Sequence, residues 1–107
     1  MKIYISGVIS QGGTLREAQQ LENAKRFRVT AQYILRLGHE PVNPIERHGL
    51  GAVLAWSDYM KRNLADLISS DAIYLLYDWH LSRGARLEFT LANELGMHIF
   101  FESEGIT

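Results

Sequence analysis

The stretch Ser82-Arg83-Gly84-Ala85-Arg86-Leu87-Glu88 carries the carboxylate best placed to do chemistry. Gly84 stands where a helix can open, and Glu88 follows four residues later, about one turn in. A helix dipole favours an ionised carboxylate near its N-terminus. An ionised Glu beside a sugar can stabilise, or attack, a developing oxocarbenium carbon. The same spacing more often marks a surface glutamate at a favourable helix position, so the motif alone leaves both readings open. A second candidate is the loop Gly7-Val8-Ile9-Ser10-Gln11-Gly12-Gly13, with three glycines in seven residues. Glycines let a backbone approach a ligand closely, and the helix that follows offers free N–H groups to an anion. The loop matches neither GxGxxG nor a P-loop, and a flexible strand-to-helix connection has the same composition. Trp56, Tyr59, Tyr77 and Trp79 could stack on a base, although packing is the commoner use of each.

Other chemistries find less support. His39, His48, His80 and His98 are scattered and lack HxxxH spacing, so neither a metal site nor a cofactor is expected. The chain has no cysteine, which excludes disulfides and thiolate chemistry. Eleven basic and twelve acidic side chains are interspersed, for a net charge of -1. Lys25, Arg26 and Arg28 read as a solvated helix face rather than a basic patch. No nucleic-acid polymer is therefore expected as partner. Met1 to Ser6 is too short an apolar run for a signal peptide, and no run approaches the roughly 20 apolar residues of a membrane span. A cytoplasmic protein without membrane contact is the expectation. The 107 residues suit one domain, and the modest core such a chain can bury favours pairing with a second copy.

The elements that must position these residues alternate. Lys2 to Ser6 reads as a strand. Thr14 and Glu17 have capping-box spacing and open a helix with Leu21, Ala24, Ala31, Ile34 and Leu35 inward. That helix stops at Gly38. His39 to Val42 is a short strand, and 43–56 reads as a long loop. A second helix covers Ser57 to Ser69, with Met60, Leu64, Leu67 and Ile68 on one face. Ala72 to Tyr77 is a strand apolar on both faces, as in a parallel sheet. Asp78 to Arg83 is a loop, Gly84 to Leu95 a third helix, and His98 to Phe101 a last strand. The order β-α-β-α-β-α-β predicts an α/β fold, a flavodoxin- or Rossmann-like three-layer sandwich whose parallel sheet has about four strands. The expected strand order is 2-1-3-4, with a ligand crevice where strands one and three diverge. Ser6 to Gly13 and Tyr77 to Glu88 leave those two strand ends.

The motifs Tyr4-Ile5-Ser6-Gly7, Gly38-His39-x-x-x-Asn43-Pro44, Trp56-x-x-Tyr59-Met60 and Asp71-Ala72-Ile73-Tyr74-Leu75-Leu76-x-x-Trp79-x-x-Ser82-x-Gly84-Ala85-x-x-Glu88 follow one another along nearly the whole chain. In this order they resemble a small phage and bacterial domain of unknown function (DUF4406-like) within the nucleoside 2-deoxyribosyltransferase-like superfamily. The related enzymes include deoxyribosyltransferases and 2′-deoxynucleoside 5′-monophosphate N-glycosidases. The resemblance implies that Glu88 is a nucleophile attacking C1′ of the sugar, that a glycosyl-enzyme intermediate forms, and that water or a second base resolves it. It implies that Tyr4 orients Glu88. It places Ser6, Gly7, Gly12, Gly13, Trp79, Ser82 and Gly84 around the nucleotide or nucleoside. Ser82 is similar to the monophosphate hydrolases, where the transferases tend to carry Asp. The resemblance also implies a homodimer or larger assembly. One position departs: Asn63 stands where the relatives usually have an Asp that assists the leaving base. Asn63 can hydrogen bond but cannot transfer a proton, and Asp66, one turn further on, is a possible substitute. A non-catalytic nucleotide or signal-nucleotide binder on the same fold is thus the alternative to a glycosidase or transferase. A third option is an interaction module, whose signature is Trp56 and Trp79 on an exposed patch.

Overall fold

The computed structural model describes residues 1–10, 15–50 and 55–107. Four strands form one parallel sheet: β1 (Lys2–Ser6), β2 (Glu40–Val42), β3 (Ala72–Leu75) and β4 (His98–Phe101), in the order β2-β1-β3-β4. Helices α1 (Glu17–Arg36), α2 (Pro44–His48), α3 (Trp56–Ile68) and α4 (Arg83–Glu94) accompany it, with a 3-10 turn at Trp79–Leu81. This is an α/β fold with a four-stranded parallel sheet flanked by helices, consistent with a Rossmann- or flavodoxin-like sandwich. Among the described residues no helix is long and apolar enough to cross a membrane.

Side chains alternate across a strand, and that alternation builds the layers. Ile3 and Ile5 of β1, with Ala72 and Tyr74 of β3 and Leu76 just beyond it, pack against Phe27 and Ile34 of α1. Tyr4, Ile73 and Leu75 point the other way and pack with Leu67 of α3 and Ala92 of α4. Both faces of the two central strands are thus buried, which explains the unbroken apolar run from Ala72 to Leu76. The register sets Tyr4 beside Ile73 and Ser6 beside Leu75. The carboxyl ends of β1 and β3 therefore lie side by side, where the 2-1-3-4 order predicts a crevice.

Three expectations need correction. The loop expected over 43–56 contains helix α2. Asn43 Oδ1 accepts from the Ile45 N–H at 3.0 Å, and Pro44 occupies the first turn. Asn at the cap with Pro after it is a helix-start signal, but five residues are too few to show a period. The first helix begins at Glu17, with Arg16 at its cap; Thr14 lies outside the described residues, as do 51–54 of the expected loop. Its inward face is also rotated. Phe27, Thr30 and Ile34 are buried, whereas Leu21 and Leu35 are exposed. Ile68 is likewise exposed at the end of α3, where Asn63 takes a place on the buried face. In both helices apolar residue type suggested a phase that contact with the sheet overrides.

The rotated face of α1 has a direct check. Phe27→Ala removes a fully buried ring and is expected to cost about 3–5 kcal/mol in urea unfolding. Leu35→Ala, on the solvent side, should stay within about 0.5 kcal/mol of the parent. Equal losses would contradict the packing described.

Candidate functional site

Glu88 lies on α4 with its side chain 4% exposed, turned back against the end of β1. Tyr4 Oη donates to Glu88 Oε2 at 2.5 Å, and Ser6 Oγ donates to Oε1 at 2.7 Å. Tyr4 and Ser6 are two residues apart on one strand, so period-2 alternation turns both toward the same carboxyl. Burial pushes the Glu88 carboxyl from 4.5 up to about 7, against the two hydrogen bonds, which lower it. Burial also raises the Tyr4 hydroxyl well above its ordinary 10, and the neighbouring Glu88 charge adds to this. Tyr4 therefore stays protonated and remains a donor. The sequence-based expectation that the helix dipole would keep Glu88 ionised underestimated burial, which is the larger effect. A carboxylate has about four lone-pair sites; the two hydroxyls occupy one on each oxygen.

Glu88 also lines a cavity of about 410 Å³. Gly7, Ile9 and Ser10 after β1 form one wall, and Ser82 to Arg86 at the start of α4 form another. Trp56, Tyr59, Met60 and Asn63 of α3, with Pro44, Gly49 and Leu50, complete it. Two close approaches fix this geometry. A Cβ at Gly7 would meet the Leu76 side chain at 2.9–3.1 Å, and one at Gly84 would meet Met60 Sδ at 3.0 Å. Gly7 lets the chain turn tightly over β3, and Gly84 lets α4 approach α3. Ser82 Oγ caps α4 by accepting from the Ala85 N–H at 3.1 Å, an interaction typically worth about 1 kcal/mol. Ser82 also lines the cavity.

Asn63 is 6% exposed, and among the described residues its Oδ1 has no hydrogen-bond partner. Leaving such a group unpaired costs about 1–3 kcal/mol. Asp66, one turn further along α3, is engaged away from the cavity. Its Oδ2 binds Arg47 Nε at 2.9 Å and His48 Nε2 at 2.7 Å, tying α2 to α3, and it is not part of the cavity wall. Among the described residues no group of three or more His, Cys, Asp or Glu could hold a metal ion.

A family model described as "Domain of unknown function (DUF4406)" matches residues 1–101. The chain belongs to the DUF4406 family. No curated protein matches it.

Of the residues singled out in sequence, this DUF4406 fold brings together Tyr4, Ser6, Gly7, Asn63, Ser82, Gly84 and Glu88 at one crevice. Gly12 and Gly13 lie outside the described residues. Trp79 is placed elsewhere: its ring packs on Phe89 with centroids 4.8 Å apart and near Phe101, behind the site. Neither tryptophan forms an exposed patch, because Arg83 stacks over Trp56 at 3.8 Å from the ring centroid. Tyr77 is exposed, with Arg26 above its ring. Arg26 itself forms a two-pronged pair with Asp78, at 2.9 and 3.0 Å, rather than a freely solvated face. Arg83 and Arg86 line the cavity and were not singled out in sequence. Their position in the first turn of a helix that opens on the crevice was the signal available.

The raised Glu88 carboxyl fixes the sign of a pH effect. The group titrates near 4.5 when unfolded and near 7 when folded. Between these values the folded state holds the extra proton, so stability falls as pH rises from about 4.5 to about 7 and is level above. The loss is on the order of 3 kcal/mol. Glu88→Gln cannot ionise, so its stability relative to the parent should grow across that window in urea titrations. A difference independent of pH would contradict a buried, raised carboxyl.

Proposed function

We propose that this chain cleaves the N-glycosidic bond of 2′-deoxynucleoside 5′-monophosphates, as a glycosidase or as a deoxyribosyl transferase. The observation that carries this reading is the buried Glu88, held by Tyr4 and Ser6 at the wall of a cavity of about 410 Å³. The volume falls in the range usual for small-molecule sites. The order of motifs links the chain to the deoxyribosyltransferase-like superfamily within this reading.

The chemistry follows from the placement. A free lone pair of ionised Glu88 attacks C1′ from one face of the sugar. The C1′–N bond breaks, its electron pair leaves with the base, and the base takes a proton from solvent. A water molecule, or a second base, then attacks C1′ of the ester. With water the products are 2-deoxyribose 5-phosphate and the free base, and the Glu88 carboxylate is regenerated. Tyr4 and Ser6 hold the carboxylate in one orientation, and their neutral donors favour its ionised form. Arg83, Arg86, the Ser82 hydroxyl and the N-terminus of α4 suit a 5′-phosphate. The reading includes a single domain over residues 1–107, acting in the cytoplasm as a homodimer or larger assembly.

Asn63 favours a second reading. Without a proton to give, the site could bind a nucleotide or signal nucleotide and leave it intact. Calorimetry with recovery of unchanged ligand would support that reading.

Release of free base from a panel of deoxynucleotides separates the two. The parent is expected to release base and Glu88→Ala to release none. Asn63→Asp should raise the rate, since general acid assistance is typically worth roughly 10²–10⁴-fold. The parent rate should climb with pH toward a plateau above about 7, as Glu88 ionises. Tyr4→Phe and Ser6→Ala should move that climb to higher pH, because each removes a bond that lowers the carboxyl. Equal release by parent and Glu88→Ala, or none by either, contradicts the proposal.

A further inference from the structure

Two cations line the cavity, Arg83 and Arg86, one turn apart at the start of α4. Among the described residues neither forms a salt bridge with a carboxylate. Each is held by a neutral group instead. Arg86 Nη1 donates to the His80 carbonyl oxygen at 2.9 Å. The Arg83 guanidinium lies over the Trp56 ring, 3.8 Å from its centroid. Trp56 and Arg83 are the first residues of α3 and α4, and their neighbours explain the meeting. Gly84 lets α4 close on Met60, which lies one turn after Trp56. The same approach sets Arg83 over the indole.

We propose that Trp56 acts for the phosphate rather than the base: it positions Arg83, with Arg86 beside it, as a preformed fork for the 5′-phosphate of the ligand. This rests on the reading of the cavity as a deoxynucleotide site. A guanidinium over a ring face gives up side-chain freedom but none of its five N–H donors, which lie in its own plane. The His80 carbonyl takes one donor from Arg86 and leaves the others. Phosphate oxygens can therefore accept from both arginines while the indole stays covered, in charge-assisted and bidentate bonds. A base seeking the covered face of Trp56 would first have to displace a cation. Holding Arg83 in advance also removes part of the ordering cost of binding. Burial sorts the charges in the same sense. Arg83 and Arg86 are exposed and Glu88 is 4% exposed, so the anionic end of the ligand lies toward solvent and its sugar toward the carboxyl.

The test uses three probes: dAMP, 2-deoxyribose 5-phosphate, which lacks the base, and 2′-deoxyadenosine, which lacks the phosphate. Binding is measured by calorimetry in a Glu88→Gln background, and base release from dAMP with Glu88 present. Trp56→Leu should weaken dAMP and 2-deoxyribose 5-phosphate by a similar factor, roughly 3- to 30-fold, and leave 2′-deoxyadenosine unchanged. Trp56→Phe, which keeps a ring face, should recover most of that loss. Arg83→Ala, at an exposed position, should give the same ligand pattern with a larger loss. Adding Trp56→Leu to it should then cost nothing more, because the indole acts through Arg83. Loss of 2′-deoxyadenosine and dAMP alike in Trp56→Phe, or losses that simply add in the double variant, overturn the inference; base release by the parent then leaves the glycosidase standing. The expected binding pattern without base release keeps the inference and overturns the glycosidase. Neither binding nor release overturns both.

Discussion

Burying one carboxyl group at the junction of β1 and α4 is the constraint on which the site depends. Water solvates an ionised carboxylate far better than a protein interior does, and the protein replaces that solvation with only two neutral hydroxyls. They do not fully compensate, which is why the Glu88 carboxyl sits near 7 rather than 4.5. Yet both are needed. Tyr4 and Ser6 each close one oxygen, and the rest of the group faces the cavity. The result is a carboxyl group of raised basicity, fixed in direction, at the wall of the cavity.

The fold supplies that arrangement through simple periodicities. The two-residue repeat of β1 sends Ile3 and Ile5 to α1 and Tyr4 and Ser6 to Glu88. Parallel pairing with β3 brings the end of β1 beside the segment that leads into α4. Gly7 and Gly84 then allow two close approaches, over Leu76 and against Met60. A side chain at either position would push apart elements that meet at the carboxyl. The stability of the layers and the geometry of the site are therefore not separable near these residues.

Much of this was legible in the sequence, for identifiable reasons. Strands β1 and β4 and the order 2-1-3-4 follow from apolar runs, turn residues and the alternation of elements. The crevice was located by the strand order, which sets the ends of strands one and three side by side, and the segment from Ser82 to Glu88 leaves one of those ends; its spacing alone left the role of Glu88 open. What was not legible depends on tertiary contact. The phase of α1 is decided by Phe27 meeting the sheet, not by its leucines. Trp79 packs with Phe89 and Phe101 because the turn after β3 folds back over α4 and β4. The raised carboxyl of Glu88 and the oxygen of Asn63, unpaired among the described residues, are consequences of burial, and burial is a property of the assembled fold. Helix α2 is a different case: its Asn43-Pro44 start was present, but its brevity hid it.

The central claim is that Glu88 is a nucleophile, and covalent trapping tests it most directly. The arabino-configured 2′-fluoro analogue of dAMP has an electron-withdrawing substituent beside C1′, which slows both formation and breakdown of a glycosyl ester. Intact-mass measurement after incubation, followed by peptide mapping, should show a gain equal to the fluorinated sugar phosphate on the peptide containing Glu88. Glu88→Gln should show none. Release of base from dAMP with the adduct on another residue, or with no adduct at any time, would contradict the account.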